Sequence, residues 1–457
     1  MEIKALATSM LGYGTPKDSL ERGVAKNPDF IGSDMGSTDP GPHYLGSGEI
    51  GVGLIPLKRD LGLVIGQGLK KGIPVLMGSA GMAGTDLHLE KVIQIITELS
   101  KEKKWHFKMA VIHSEIDKSY LKRKLDEGKI KPLYKEELAH YKSILSPSDI
   151  DNSEHIVAQM GPEPFIKALK EGAQIIVAGR SCDTSIYAAL PLMKGCDRGL
   201  TMHMAKVIEC ASQCSRPPSR DTLMGYLRED CVLFEPQNPD LKCTAESVAE
   251  HSLYERINPY QQGEPGGMLD LSEVSYEQYD ERIAKVSGSK WIPAPIYTVK
   301  LEGACKVGYR TIVMGGARDP IMIEQINNTL ESVSTIVKNL LSDDYIYGKD
   351  YSLRFRVYGK NGVMGRIEVS EQITSCELFI LIDVVAKSQE LSKSVCEIAM
   401  QNLLHYPYEG RVSTGGNLAF PFSPAVRNFG ATYKFNIFHL LELEDPCEIF
   451  SIDIVNI

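Results

Sequence analysis

Through the first two hundred residues, short apolar runs alternate with stretches whose apolar positions recur at helical spacing. The runs "IKALATS", "DFIGSD", "PVLMGSA", "FKMAVIHSE" and "AQIIVAGRS" read as strands. Between them, "TDLHLEKVIQIITELSKEKKW" places Leu87, Val92, Ile95 and Ile96 on one side of a helix, and "EPFIKALKEG" ends on Gly172, a residue suited to a helix stop. Strand and helix alternating in this way predicts an α/β fold with a mostly parallel, Rossmann-like sheet in the N-terminal half. Ligands of such sheets sit outside the carboxyl ends of the strands.

Beyond about residue 200 the texture changes. "LTMHMAKVIECASQ" reads as a helix, and the prolines of "CSRPPSRD" then mark a hinge. "YTVKLEGACKVGYRTIVMGG" reads as a pair of strands followed by a helix from about Pro320 to Leu341, and "LRFRVYGKNGVMGRIEV" as a hairpin. "ELFILIDVVA", "SQELSKSVCEIAMQNLLHY" and "FSIDIVNI" follow as strand, helix and strand. The expected organisation is an α/β domain over 1–215, a mixed connecting region over 216–295 and an α+β domain over 296–457.

Composition narrows the function classes. With 50 basic and 59 acidic residues and no basic stripe, the chain is not expected to bind nucleic acid. No apolar run reaches the roughly 18 to 20 residues of a membrane helix, and the N-terminus has no targeting pattern, so a cytoplasmic protein without a membrane partner is expected. The 10 cysteines include no Cys-x-x-Cys pair, which points to reduced thiols.

Familiar motifs are missing or out of context. "GSGEIG" fits a dinucleotide fingerprint formally but follows a loop, and "GSAGMAGTD" lacks the lysine of a P-loop. Neither G-x-S-x-G nor H-E-x-x-H occurs. What remains is three glycine-rich loops at strand ends. The first carries Asp34, Gly36, Ser37, Asp39 and His43; the second carries Ser79; the third carries Arg180, Ser181, Cys182 and Asp183. If their strands are neighbours, the loops meet at one rim, where backbone amides and Arg180 could hold a carboxylate. Each residue also has a plain structural reading: Asx turns for Asp34 and Asp39, an ion pair for Arg180, a packed ring for His43, a small buried thiol for Cys182. A further loop, "GRVSTGGNLAFPF", offers Asn417 as a ligand contact or as part of a protein interface.

The segments "GSDMGSTDPGPHYLGSG", "AGRSCDTSIYAALPL" with "HMAKVIECAS", "VKLEGACKVGYRTIVMGGARDP" and "NLAFPFSPAVRNFGATYKFNIFHLLELEDP" resemble the acyclic terpene utilisation (AtuA-like) family over nearly the whole chain. The resemblance implies catabolism of branched acyclic compounds through acyl-CoA intermediates, and for long members a small companion protein and small di- or tricarboxylates. It carries over no catalytic residues.

The leading expectation is a lyase (hydratase or dehydratase) or isomerase acting on a small branched or unsaturated carboxylic acid or its CoA thioester. Arg180, the Gly36–Ser37 amides, Ser79 and Ser181 would hold the substrate and its enolate, Asp34 or Asp39 would be the base, and His43 the acid. Magnesium held by Asp34, Asp39 and Asp183 could take over part of that electrostatic work. No basic cluster for a 3′-phosphate is evident, which favours free acids. The alternatives are a thioester or amide hydrolase using Cys182 or Ser181, and a non-catalytic binding or assembly subunit. A homo-oligomer is also expected.

Overall fold

The computed structural model describes residues 1–133, 144–254, 256–370, 372–412 and 414–457. The chain divides into two compact units, Met1–Cys305 with Phe435–Ile457, and Lys306–Lys434. In chain order the strands of the first unit are β1 (Ile3–Ala7), β2 (Phe30–Asp34), β3 (Val75–Gly78), β4 (Lys108–Ile112), β5 (Ile130–Pro132), β6 (Ser153–Gln159) and β7 (Ile175–Ala178). Then come β8 (Leu223–Leu227), β9 (Cys231–Pro236), β10 (Gln261–Glu264), β11 (Gly267–Asp270), β12 (Ser275–Gln278), β13 (Ala284–Ser287) and β14 (Lys290–Pro293). β15 (Tyr297–Ala317) and β18 (Val426–Leu443) contribute residues to both units, β16 (Tyr351–Tyr358) and β17 (Leu378–Ala386) belong to the second, and β19 (Ile452–Asn456) returns to the first.

The main sheet of the first unit runs β12-β13-β9-β8-β1-β2-β3-β7-β4-β19. Its centre, β1-β2-β3-β7-β4, is parallel. These strands are short apolar runs buried on both faces, as a parallel core requires: Val75–Gly78 and Ile175–Ala178 are buried throughout. The flanks are antiparallel, so the sheet as a whole is mixed, with the parallel strands of the N-terminal half at its centre. The reason is local. Only Arg228–Asp230 separates β8 from β9, a link too short for the crossover that parallel neighbours need. The segment 216–295 is accordingly no separate connecting region, since β8, β9, β12 and β13 extend the same sheet.

The helix Asp86–Lys103 starts at Thr85, whose side chain accepts from the His88 amide while the His88 ring answers the Thr85 amide. Its core face is Leu89, Val92, Ile96 and Leu99, and the expected Leu87 is 40% exposed.

In the second unit, β16, β17 and the later part of β15 form an antiparallel sheet. One face of it carries Ile380, Ile382 and Val384 into a core shared with Val333 and Val337 of the helix Ile326–Leu341 and with Val395 and Ala399 of the helix Gln389–His405. Two expectations change here. "YTVKLEGACKVGYRTIVMGG" lies within one strand of 21 residues, Tyr297–Ala317, and after β16 the chain turns into a short 3-10 helix at Gly365–Ile367, the antiparallel return along β16 being made only by β17. Among the described residues no helix is long and apolar enough to cross a membrane.

Candidate functional site

Because β2, β3 and β7 are adjacent and parallel, the loops that follow them meet at one rim. Their close approach depends on two glycines. Gly84 has φ +66°, and a Cβ there would overlap the backbone of Gly179 and Arg180; Gly36 has φ +152°, and a Cβ there would strike the Met82 backbone. The second loop is itself strained, with Ser79 at φ +51° and Met82 at φ +129°.

At the end of β2, Asp34 has an Oδ1 sealed from solvent without a hydrogen-bond partner, while the amides of Gly36 and Met35 serve the same carboxyl group. Burial pushes this carboxyl well above the usual range, the neighbouring Asp183 pushes it further, and Arg180 and the two amides only partly offset them. Asp183, the first residue of the helix Asp183–Met193, also has a sealed Oδ1 without a hydrogen bond, although its side chain is 36% exposed. Burial raises Asp183 too, against the pull of Arg180 and Lys206. Asp34 and Asp183 are thus two carboxyls raised by burial, and the charge of Asp183 acts on Asp34.

Arg180 is almost wholly committed within the protein. Its Nε donates to Glu302 Oε2 at 2.7 Å, and its Nη1 donates to Ser79 Oγ and to the Ser181 carbonyl, each at 3.1 Å. Asp183 Oδ1 lies 3.7 Å away. Glu302, on β15, is fully buried and also accepts from Thr38 Oγ1 at 2.9 Å and pairs with Lys300 at 2.7 Å. Burial alone would raise its carboxyl, yet Arg180 and Lys300 bring it down to about 2. Burial works against the charge of Arg180 as well, and Glu302 and Asp183 more than restore it.

Beside the pair lies a second polar layer. Glu264, at the end of β10, accepts from Cys182 Sγ at 2.9 Å and from Thr184 Oγ1 at 2.7 Å. Burial pushes the Cys182 thiol well up, and Glu264 and Asp183 add to it, so the thiolate is disfavoured. Lys206 holds Glu209 at 2.5 Å, and Glu209 is nonetheless raised to about 8 by burial. Arg256, whose charge is felt by Glu264 and Glu209, has Nε and Nη2 sealed without hydrogen-bond partners. The Tyr187 hydroxyl is likewise sealed without a partner, and burial and then Asp34 push it up.

The remaining expected residues serve the backbone, sit in local turns or lie nearer the surface, although the charge of Asp39 also raises Asp183. Ser79 is fully buried and braces Arg180 and the Ser181 amide, and Ser181 donates to the Gly179 carbonyl at 2.9 Å. The amide of Gly36 is taken by Asp34, and Ser37 donates to the exposed Asp39 at 2.9 Å in a local turn. The side chain of His43 is 45% exposed and pairs with Glu49 at 3.2 Å. Asn417 belongs to the second unit and donates to the carbonyls of Leu403 and Tyr406, at 3.0 Å each, at the end of a helix. Ser413 of the same loop lies outside the described residues. No group of three or more His, Cys, Asp or Glu side chains that could hold a metal ion occurs among the described residues; within the expected trio, Asp183 acts on Asp34 and Asp39 acts on Asp183 through their charges.

Glu302, Glu264, Lys206, Glu209 and Arg256 were not anticipated. The signal for two of these elements was present as charge in an apolar context: Glu302 inside "VKLEGA", and Lys206 with Glu209 inside "MHMAKVIEC".

A family model described as acyclic terpene utilisation family protein AtuA matches residues 57–218 and 229–427. Comparison with curated proteins and with solved structures finds no match.

Proposed function

The chain belongs to the acyclic terpene utilisation family AtuA, and from that premise we propose an enzyme of the lyase or isomerase type that moves protons on a small branched or unsaturated carboxylic acid or its CoA thioester. The observation that carries this reading is Asp34 with Asp183, two carboxyls raised by burial, each with a sealed oxygen that makes no hydrogen bond, at the ends of parallel strands on either side of β3. One member, ionised, takes a proton from the α-carbon; the other, protonated, returns one to a departing hydroxyl or to the far carbon of the shifted double bond. The fixed charges of Arg180 and Lys206 stabilise the enolate that forms between these steps.

Carboxylate recognition is better supplied by Arg256 than by Arg180. Arg180 spends its Nε and Nη1 on Glu302, Ser79 and Ser181, whereas Arg256 keeps Nε and Nη2 without partners. The acid role expected of His43 passes to Asp183, because His43 is half exposed and engaged with Glu49. A hydrolase working through Cys182 or Ser181 has less support: the thiol donates to Glu264 and is pushed up, and the hydroxyl donates to the Gly179 carbonyl.

Incubation in deuterium oxide with a panel of branched and unsaturated acids and their CoA thioesters tests the reading. Wild-type protein should place deuterium at the α-carbon of one acid class, and Asp34→Asn should slow that exchange by about 10²- to 10⁴-fold. Exchange at an unchanged rate in the variant would remove Asp34 from the mechanism. Absence of exchange in wild type across the panel would instead favour a subunit that needs its partner protein for chemistry.

A further inference from the structure

The second unit carries a cleft of its own, of about 430 Å³, on the face of its sheet opposite the helices. Strand register dictates what lines it. On β17 the residues alternate, so Ile380, Ile382 and Val384 enter the core while Asp383 and Val385 face the cleft. Across the ladder Val385 stands opposite Arg310 and Ser352, and Asp383 stands opposite Ile312 and Arg354. Lys349, Lys387 and Lys434 complete the basic set, and Asp350 joins Asp383 as the acidic one. The cleft therefore holds five cations and two carboxylates.

The carboxylates are already matched. Asp383, whose side chain is 9% exposed, has Arg310 at 3.0 Å and Arg356 at 3.9 Å, and Asp350 pairs with Lys387 and accepts from the Ile346 amide at 2.8 Å. Lys349, Arg354 and Lys434, by contrast, have no ion pair among the described residues. Asp383 Oδ1 and Arg310 Nε, and Asp350 Oδ1 beside Lys387, are sealed from solvent within these ion pairs. Three cations without an ion pair among the described residues thus line a concave surface whose two carboxylates are already matched. Like charges gathered in this way repel one another until an anion enters, and the low-dielectric walls strengthen the field at the centre.

We infer that this cleft is a binding site for a phosphate-bearing small molecule of about nucleotide size. The volume falls within the range of small-ligand pockets, and lysines that act as point charges beside arginines that can bind bidentately suit phosphoryl oxygens. The inference rests on the second unit alone and is independent of the proton-transfer reading.

Calorimetric titration of the full chain with ADP, pyrophosphate and citrate, at low and at raised ionic strength, tests it. Saturable binding of ADP and pyrophosphate that weakens with salt is expected, with a loss of at least about tenfold in affinity in the double variant Arg354→Ala, Lys434→Ala. Both side chains are exposed, and an unchanged melting temperature would show that the variant is folded. Failure of ADP and pyrophosphate to bind at low ionic strength would overturn the inference, as would equal affinity in the double variant. Citrate binding as tightly as pyrophosphate would replace a phosphate site with a general polyanion surface.

Discussion

At the scale of single residues, the carboxyls of the candidate site are shifted in opposite directions. Glu302 is depressed to about 2, so its contribution to stability is fully present above the ordinary carboxylate range and is lost as pH falls toward that value. Glu302→Gln leaves Arg180 buried without its main counter-ion and should cost about 3–5 kcal/mol in urea unfolding. Asp34 has the opposite sign. Its folded-state carboxyl is raised by burial and then by Asp183, so stability declines as pH rises from the unfolded value through the folded one. Asp34→Asn should therefore melt at a higher temperature than wild type at neutral pH while losing turnover. A lower melting temperature would show that the carboxylate is a structural anchor. Asp34, Arg180, Cys182 and Asp183 were legible because they crowd into loops that follow apolar runs. Their roles were not, since Arg180 reads as a free clamp until Glu302 appears beside it from a strand more than a hundred residues later.

At the scale of elements, two devices hold the rim and the sheet edge. Gly84 lets the second loop lie against the third; Gly84→Ala should destabilise by roughly 2 kcal/mol or more and reduce activity together with stability, as followed by urea unfolding. At the edge, β19 lies against β4, and His113 reaches Asp86 at 2.7 Å and Asp453 at 3.3 Å. Burial would lower His113, but the two carboxylates win and raise it. A raised histidine stabilises below its unfolded pKa and ceases to do so as pH rises through the folded one. Hydrogen exchange corrected for intrinsic rates should show β19 amides losing protection over that interval, and His113→Ala should flatten the dependence. The central strands were legible from their buried apolar runs. The single long β15 was not, because the polar residues at its middle imitate a turn, and the hairpin expected after β16 did not form within that segment because the alternating Ile367 and Val369 stay exposed and β17 is the strand that returns along β16.

At the scale of the molecule, two cores are packed separately. The second unit has its own cluster around Val333, Ile382 and Val395, distinct from the two large clusters of the first. Scanning calorimetry should resolve more than one transition, and Leu403→Ala, at a fully buried position, should lower one of them by an amount equivalent to about 2–5 kcal/mol while leaving the other in place. A single transition shifted as a whole would mean that the units unfold together. The basic cleft was invisible in the sequence for a related reason: Arg310, Lys349, Arg354, Lys387 and Lys434 are scattered over more than a hundred residues and converge only through strand register.

The proton that the proposed mechanism assigns to the Asp34 and Asp183 carboxyls can be sought without knowing the substrate. Infrared difference spectroscopy of wild type against Asp34→Asn at neutral pH should show a protonated carboxyl band in wild type that is lost in the variant. If both aspartates absorb only as ionised carboxylates, the pair holds no proton at neutral pH and the acid–base role assigned to it is wrong.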